Sequence, residues 1–274
     1  MNLITVDLEE WYTYIIYKKG LPARYEPILE ELLDDILHLF ELNNIKATFF
    51  CLGTIARSHP GIVKKIFDKG HEIGCHSDKH DFITKFNPKQ LKLDTQKAID
   101  SLEQCIGSKV FMYRAPAFTI TQSNKWALET LIESGITIDC SIFAANRSYG
   151  GFHSLSINEP AYISTPSGVI TEFPMSYSTF FGKKIIYTGG GYFRLLPYTV
   201  ISNLFSKSEY NMTYFHLRDF DIFQKPVYNH RYFYNYVGIS KSFSKLERLI
   251  DDFKFVSIGE IYDNSERDYK LIHI

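Results

Sequence analysis

The sequence predicts an α/β fold: one barrel of seven or eight strands with intervening helices, built as a single domain over residues 1–274. Three observations carry this. Short apolar runs alternate with stretches of helical period. The residues able to do chemistry fall at the C-terminal ends of the apolar runs, where sites on such folds sit. No glycine-rich phosphate-binding turn follows the first strand, as a doubly wound sheet, the alternative, would carry.

Residues 2–7 are an apolar strand ending at Asp7, with Glu9, Glu10, Trp11 and Tyr12 just beyond. Over residues 27–42, Ile28, Leu32, Ile36, Leu39 and Phe40 recur with a helical period, and Asn43-Asn44 stops the helix. Residues 46–52 read as a strand, 55–69 as a helix capped by Gly70, and 71–75 as a short buried strand. Asn87-Pro88 supplies an N-cap and a first-turn proline for a helix running to about residue 104. Strands at 109–113 and 136–140 flank a helix at 124–134. Five strands alternating with helices predict right-handed βαβ units and a parallel sheet. Residues 144–168 read as loop, 169–173 as a strand, and Gly189-Gly190-Gly191 as a tight turn. A helix at 197–205, a strand at 212–216, a helix at 242–253 and a last strand at 255–258 complete the pattern.

Composition narrows the function classes. Hydrophobic residues make up 45% and charged residues 22%, ordinary for a soluble globular protein. The net charge of -1 offers no basic footprint for nucleic acid. No apolar stretch is long enough for a membrane span. The start enters a strand directly, with no basic or apolar leader pattern, so no export signal is expected. Cys51, Cys75, Cys105 and Cys140 lie far apart and read as free thiols of a reducing, cytoplasmic compartment. Aromatics are abundant at 16%, many of them after residue 176; they suit a core or a sugar cleft equally.

The motif around which these elements gather is His76-Ser77-Asp78-Lys79-His80. If the backbone turns helically there, the two imidazoles share a face, and neutral imidazole is the commonest side-chain metal ligand. Asp7, Glu9, Arg114, Asp139 and His216 also sit at predicted strand ends. Two histidines and a carboxylate with an open position make a hydrolytic metal site. A second carboxylate can take the water proton, and a further histidine can protonate the leaving group.

With these residues in place, the sequence resembles the polysaccharide deacetylase family, carbohydrate esterase family 4 with the NodB-homology fold. The resemblance rests on Thr5-Val6-Asp7-Leu8-Glu9-Glu10-Trp11, Ala47-Thr48-Phe49-Phe50, the stretch from Gly70 to His80, and Tyr113-Arg114-Ala115-Pro116. It continues through residues 138–143, 189–197 and Tyr214-Phe215-His216. The first motif and the triple glycine resemble an exopolysaccharide-associated branch. The resemblance implies a distorted (β/α) barrel and a divalent metal ion, usually zinc. It implies Asp7 as base, His76 and His80 as metal ligands, Arg114 as partner of the base and the Ala117 N–H as oxyanion donor. It further implies His216 as general acid, tuned by Asp139.

The sequence departs from the family's usual pair of adjacent aspartates, because Leu8 follows Asp7. The third ligand then comes from Glu9 or Glu10, and strand alternation favours Glu9, on the same face as Asp7. No tryptophan is evident after the fourth motif, and Leu217-Arg218 follow His216. His71 reads as a structural neighbour, and His38, His59, His230 and His273 as solvent or packing residues; for His153, in a glycine-rich loop, a substrate contact is the lesser of its readings. Tyr228, Tyr232, Phe233, Tyr234 and Tyr236 read as packing.

The expected activity is metal-dependent removal of an N-acetyl group from an amino sugar in surface-glycan biosynthesis. The substrate is nucleotide-linked, lipid-linked or an oligosaccharide, with a soluble nucleotide sugar preferred. A metal-free C–N hydrolase acting on a ureide is one alternative, and a non-catalytic carbohydrate-binding protein is the other. Both metal histidines weigh against the first, and Asp7, Arg114 and His216 against the second.

Overall fold

The computed structural model describes residues 1–9, 29–145, 150–223, 233, 236–263 and 268–274. The fold is α/β. Along the chain come β1 (Asn2–Leu3), β2 (Thr5–Leu8), α1 (Leu29–Leu42), β3 (Thr48–Cys51), α2 (Gly53–Ser58), α3 (Pro60–Asp68), β4 (Glu72–Cys75), α4 (Pro88–Ile106), β5 (Met112–Tyr113), α5 (Trp126–Glu133) and β6 (Ile138–Asp139). The second half adds β7 (Ala161–Thr165), β8 (Gly168–Glu172), β9 (Ser178–Phe180), β10 (Lys183–Ile185), α6 (Gly190–Leu195), α7 (Tyr198–Lys207), β11 (Asn211–Met212), β12 (Phe215–His216), α8 (Ser242–Asp252), α9 (Ile258–Asp263) and β13 (Lys270–His273).

Nine strands form the main sheet in the order β12-β2-β3-β4-β5-β6-β8-β7-β13. From β12 to β8 every pairing is parallel, and β2 to β6 lie side by side in chain order, as the alternating pattern predicts. The distorted barrel of seven or eight strands expected from the pattern is not closed among the described residues: β12 lies at one edge of the ladder and β13 at the other. Pro174, just past β8, has no N–H to extend the ladder. The sheet curls instead. Ser176 Oγ accepts from the Met212 N–H at 2.7 Å, the Tyr210 hydroxyl donates to the Pro174 carbonyl at 2.8 Å, and Gly189 makes a lone bridge to Tyr214.

Other local differences have local causes. The predicted helix over 55–69 is two helices, because Pro60 cannot continue α2 and starts α3 instead. The predicted loop 144–168 contains β7, antiparallel to β8. The last predicted strand shrinks to a single bridge from Val256 to Leu3, and α9 begins at Ile258. The prediction gave no strand at 270–273, where β13 pairs with β7. Asn87 caps α4 with a full capping box to Gln90, and Gly107 ends it in the left-handed region (φ 68°).

Strand alternation sorts the core. Val6, Leu8, Phe49 and Cys51 pack outward against the helices, with Leu33, Ile36, Leu37 and Phe40 of α1. Leu3, Phe50, Met112, Ile138, Phe173, Met212 and Tyr214 pack on the concave side. Each such large side chain, fully buried, contributes about 1.5–3 kcal/mol. Asp7, one residue from Val6 and from Leu8, therefore faces the concave side, where the functional groups collect.

Candidate metal centre and catalytic cluster

Asp7 and Arg114 are both buried, and Arg114 Nη1 lies 2.7 Å from Asp7 Oδ1. The same nitrogen donates to Thr5 Oγ1 at 2.8 Å, Nε donates to the Cys140 carbonyl at 3.3 Å, and the guanidinium lies 4.2 Å from the centre of the Phe50 ring. Burial works to raise the Asp7 pKa, but Arg114 above all, then His76 and His216, outweigh it and hold the carboxylate below its usual range.

Glu9, His76 and His80 converge: one ligand atom from each lies within 4.8 Å of the others, and all three residues are buried. His76 follows β4 directly, and its Nδ1–H donates to the Arg114 carbonyl at 2.8 Å, which leaves Nε2 free for a ligand. The turn to His80 is not helical. Ser77 (φ 71°) and His80 (φ 60°) take left-handed backbone, and the His80 N–H donates to Ser77 Oγ at 2.9 Å. A turn of this kind, not a helix face, sets the two rings 5.2 Å apart.

Glu9 Oε2 lies 2.7 Å from His80 Nε2 yet has no hydrogen-bond partner of proper geometry. Burial opposes its ionisation, but His80, His216 and His76 prevail and hold Glu9 well below the usual carboxylate range. Two imidazoles, one ionised carboxylate and an orphaned buried oxygen fit a divalent cation of the zinc type. Glu10, the alternative third ligand, lies outside the described residues, as do Trp11, Tyr12, Tyr228, His230, Tyr232 and Tyr234.

His216 ends β12, beside Asp7 in the paired register. Its Nε2 lies 3.5 Å from Glu9 Oε1 and 3.8 Å from Asp7 Oδ2. Burial outweighs those carboxylates and pushes the imidazole down to about 4. It is therefore neutral at pH 7.

Among the described residues, the partners of Asp139 lie on the neighbouring strand and just past its own. It sits opposite Glu172 in the β6–β8 register, accepts from Ser141 Oγ at 2.5 Å and shares a hydrogen bond with the Glu172 carboxyl. The carboxylate beside His216 belongs to Asp219, whose Oδ2 lies 3.1 Å from His216 Nδ1. The sequence reading missed Asp219, although an acid three residues after a histidine is the spacing of a capping box. Ala117 lies in the 3-10 turn Pro116–Phe118 after β5, with left-handed backbone (φ 51°). Its N–H, in the first turn, has no partner within that turn. Gly150 packs on this turn: a Cβ there would lie 2.5 Å from the Phe118 carbonyl oxygen.

His71 accepts from the Ala47 N–H at 3.1 Å and packs edge-on against Phe49, a structural role. His153 is exposed. Gly189-Gly190-Gly191 is more than a turn, since α6 starts there.

A buried carboxylate and two imidazoles at the strand ends of a curled α/β sheet define a candidate metal centre, and comparison with known proteins places the chain. Residues 16–132 match the polysaccharide deacetylase family model, and residues 140–263 match a domain of unknown function (DUF3473). A peptidoglycan-N-acetylglucosamine deacetylase of Bacillus cereus is 35% identical over 100 residues, 36% of this chain and 36% of the relative. The match therefore spans about a third of that protein's length. A polysaccharide deacetylase structure from Mycobacterium smegmatis superposes with a TM-score of 0.61 at 15% identity, covering 96% of this chain and 88% of that one. A carbohydrate esterase family 4 pseudoenzyme from Bacillus anthracis superposes with a TM-score of 0.55 at 13% identity, covering 100% of this chain and 69% of that one. Over residues 16–132 the chain is thus similar to the polysaccharide deacetylases, and its fold is that of solved carbohydrate esterase family 4 structures.

Proposed function

We propose that this chain is a metal-dependent N-deacetylase acting on an N-acetylated amino sugar of surface-glycan or exopolysaccharide synthesis. The observation that supports it best is one cluster: the Asp7–Arg114 pair beside Glu9, His76 and His80, with His216 Nε2 within 3.8 Å of Asp7. A pure binding protein has no need of an ionised buried carboxylate aligned by a buried arginine.

Glu9, His76 and His80 would hold the ion, with zinc the best fit to the donor set. When bound, such an ion supplies Lewis-acid polarisation of an amide carbonyl and of water. The chain's own groups do the rest. Asp7, fixed through Oδ1 by Arg114, presents Oδ2 to accept a proton from the attacking water. The Ala117 N–H is a donor for the oxyanion. His216, neutral at rest, receives at Nε2 the proton that Asp7 took from the water, Oδ2 lying 3.8 Å away, which returns Asp7 to its ionised form. It then hands that proton to the leaving amine.

The substrate proposal is an early one, a nucleotide- or lipid-linked amino sugar, with the soluble nucleotide sugar preferred. Four free cysteines support a reducing, cytoplasmic setting. No helix of the described residues is long and apolar enough to cross a membrane. The test is acetate release, with zinc content measured on the same preparation, over nucleotide sugars, lipid-linked sugars, chitooligosaccharides and peptidoglycan at matched concentration. Faster turnover of finished polymers than of any linked monosaccharide would sink the early-substrate reading. No acetate from any of them, with metal bound, would sink the deacetylase reading.

A further inference from the structure

The triple-glycine stretch, the buried Arg194 and Asp219 have no part in the chemistry above, yet they form one connected arrangement that ends on His216. Gly189 approaches the Tyr214 backbone so closely that a Cβ would lie 2.1 Å from the Tyr214 carbonyl oxygen. Gly190 follows with left-handed backbone (φ 55°), and α6 starts at once. This launches Arg194 into the interior, where it is 4% exposed and ion-paired through Nη1 with Asp219 Oδ1. The far end of α6 is tied down as well. Lys245 Nζ donates to the carbonyls of Phe193, Arg194 and Leu196 at 3.1, 2.6 and 2.7 Å. Gly238 admits the Arg194 carbonyl, which a Cβ there would meet at 2.4 Å.

Asp219 is 1% exposed and spends its other oxygen on His216. Oδ2 accepts from the His216 backbone N–H at 3.0 Å and lies 3.1 Å from His216 Nδ1. A carboxylate paired with arginine accepts only, so Nδ1 must carry the proton, and Nε2 is left bare toward Asp7 and Glu9. We propose that Arg194 and Asp219 are positioning residues of a relay, Arg194–Asp219–His216, that fixes the His216 tautomer and ring direction. The triple glycine exists to deliver Arg194 to it. In this chain Asp219 supports the late histidine, while Asp139 is spent on Glu172 and Ser141.

The relay rests on the deacetylase reading for its kinetic consequence but not for its spectroscopic one. Nitrogen-15 imidazole spectra of the full chain, with the His216 signals assigned by their loss in His216→Gln, should show a protonated Nδ1 and a bare Nε2. In Asp219→Asn and Arg194→Met the His216 pattern should move toward the other tautomer. Arg194→Lys should hold the wild-type pattern better than Arg194→Met. With a substrate in hand, Asp219→Asn should lower kcat on the order of tenfold to a hundredfold, the range for losing a group that orients a histidine. KM should change less than about twofold, and zinc content should not change. The Asp219→Asn Arg194→Met double variant should lose little more than Asp219→Asn alone. A wild-type His216 protonated on Nε2, or spectra unmoved in Asp219→Asn, overturns the relay. Should Asp219→Asn not fold, Asp219→Glu and Arg194→Met are read by the same spectra, and unchanged His216 signals in both overturn it too. A wild-type protein that releases no acetate but shows the expected spectra defeats the deacetylase reading and leaves the relay standing.

Discussion

Gly74 and Phe50 share one slot between neighbouring strands: a Cβ on Gly74 would lie 2.6 Å from the Phe50 ring. That ring carries the Arg114 guanidinium 4.2 Å from its centre, and Arg114 in turn holds Asp7. A glycine on one strand thus reaches the proposed base two strands away.

Gly74→Ala should therefore do two things at once. Overpacking a closed core costs about 1–3 kcal/mol, which a denaturant titration will read. Phe50 is fully buried and cannot swing aside, so the displacement passes to Arg114, and turnover should fall further than stability alone explains. Unchanged activity in a folded Gly74→Ala protein would break the link between this packing and the site.

Removal of Glu9, His76 or His80, one at a time to alanine, should lower zinc occupancy, because two remaining ligands do not close the site. Asp7→Asn should keep the metal while losing rate on the order of a hundredfold or more. Metal analysis by mass spectrometry separates the two outcomes. A metal-depleted Asp7→Asn would move Asp7 into the ligand set.

Arg114→Met leaves the buried Asp7 charge without the guanidinium that pairs with it. Breaking a buried pair from one side costs about 3–5 kcal/mol. The double variant with Asp7→Asn should recover part of that loss, since no charge is then left unpaired. Additive losses in the thermodynamic cycle would show that the pair is not coupled.

The Asp139–Glu172 pair should make stability pH-dependent. Burial raises both carboxyls, and the Asp139 charge helps push Glu172 well above its usual value, so one proton stays between them. Unfolding at neutral pH releases that proton. The stabilisation is fully present below the unfolded values near pH 4 and is lost as pH rises through the folded ones, at about 1.4 kcal/mol per unit of displacement. Glu172→Gln keeps a donor for Asp139 and an acceptor for the Ile142 N–H, which now reaches Glu172 Oε1 at 2.9 Å. It should flatten the alkaline side of the profile, and a profile parallel to wild type would exclude the shared proton.

The parallel half of the fold was legible because the β2–β6 strands are short apolar runs separated by stretches of helical period. Asp7, Glu9, His76, His80, Arg114 and His216 were legible as strand-end residues, and the structure brings them together. What escaped was long-range. β13 pairs with β7 more than a hundred residues away, and nothing local in residues 270–273 announces it. The open edges at β12 and β13 likewise depend on which distant strands come to lie side by side. Asp139 was assigned to His216 by its place in the motif order, but Glu172, 33 residues later in the chain, competes for it across the β6–β8 register.

Four non-glycine residues with left-handed backbone border the site: Ser77, His80, Ala117 and Phe118, at φ 71°, 60°, 51° and 54°. Each such residue sits roughly 1–2 kcal/mol above the right-handed alternative, so the surrounding fold holds them there as a bent spring is held. Glycine would relax all four, but in the unfolded chain it would also add freedom that folding must remove. The strain therefore works as rigidity. The ligand loop and the turn carrying the Ala117 N–H are shaped before any ion arrives, and an ion entering the cluster has little backbone left to order.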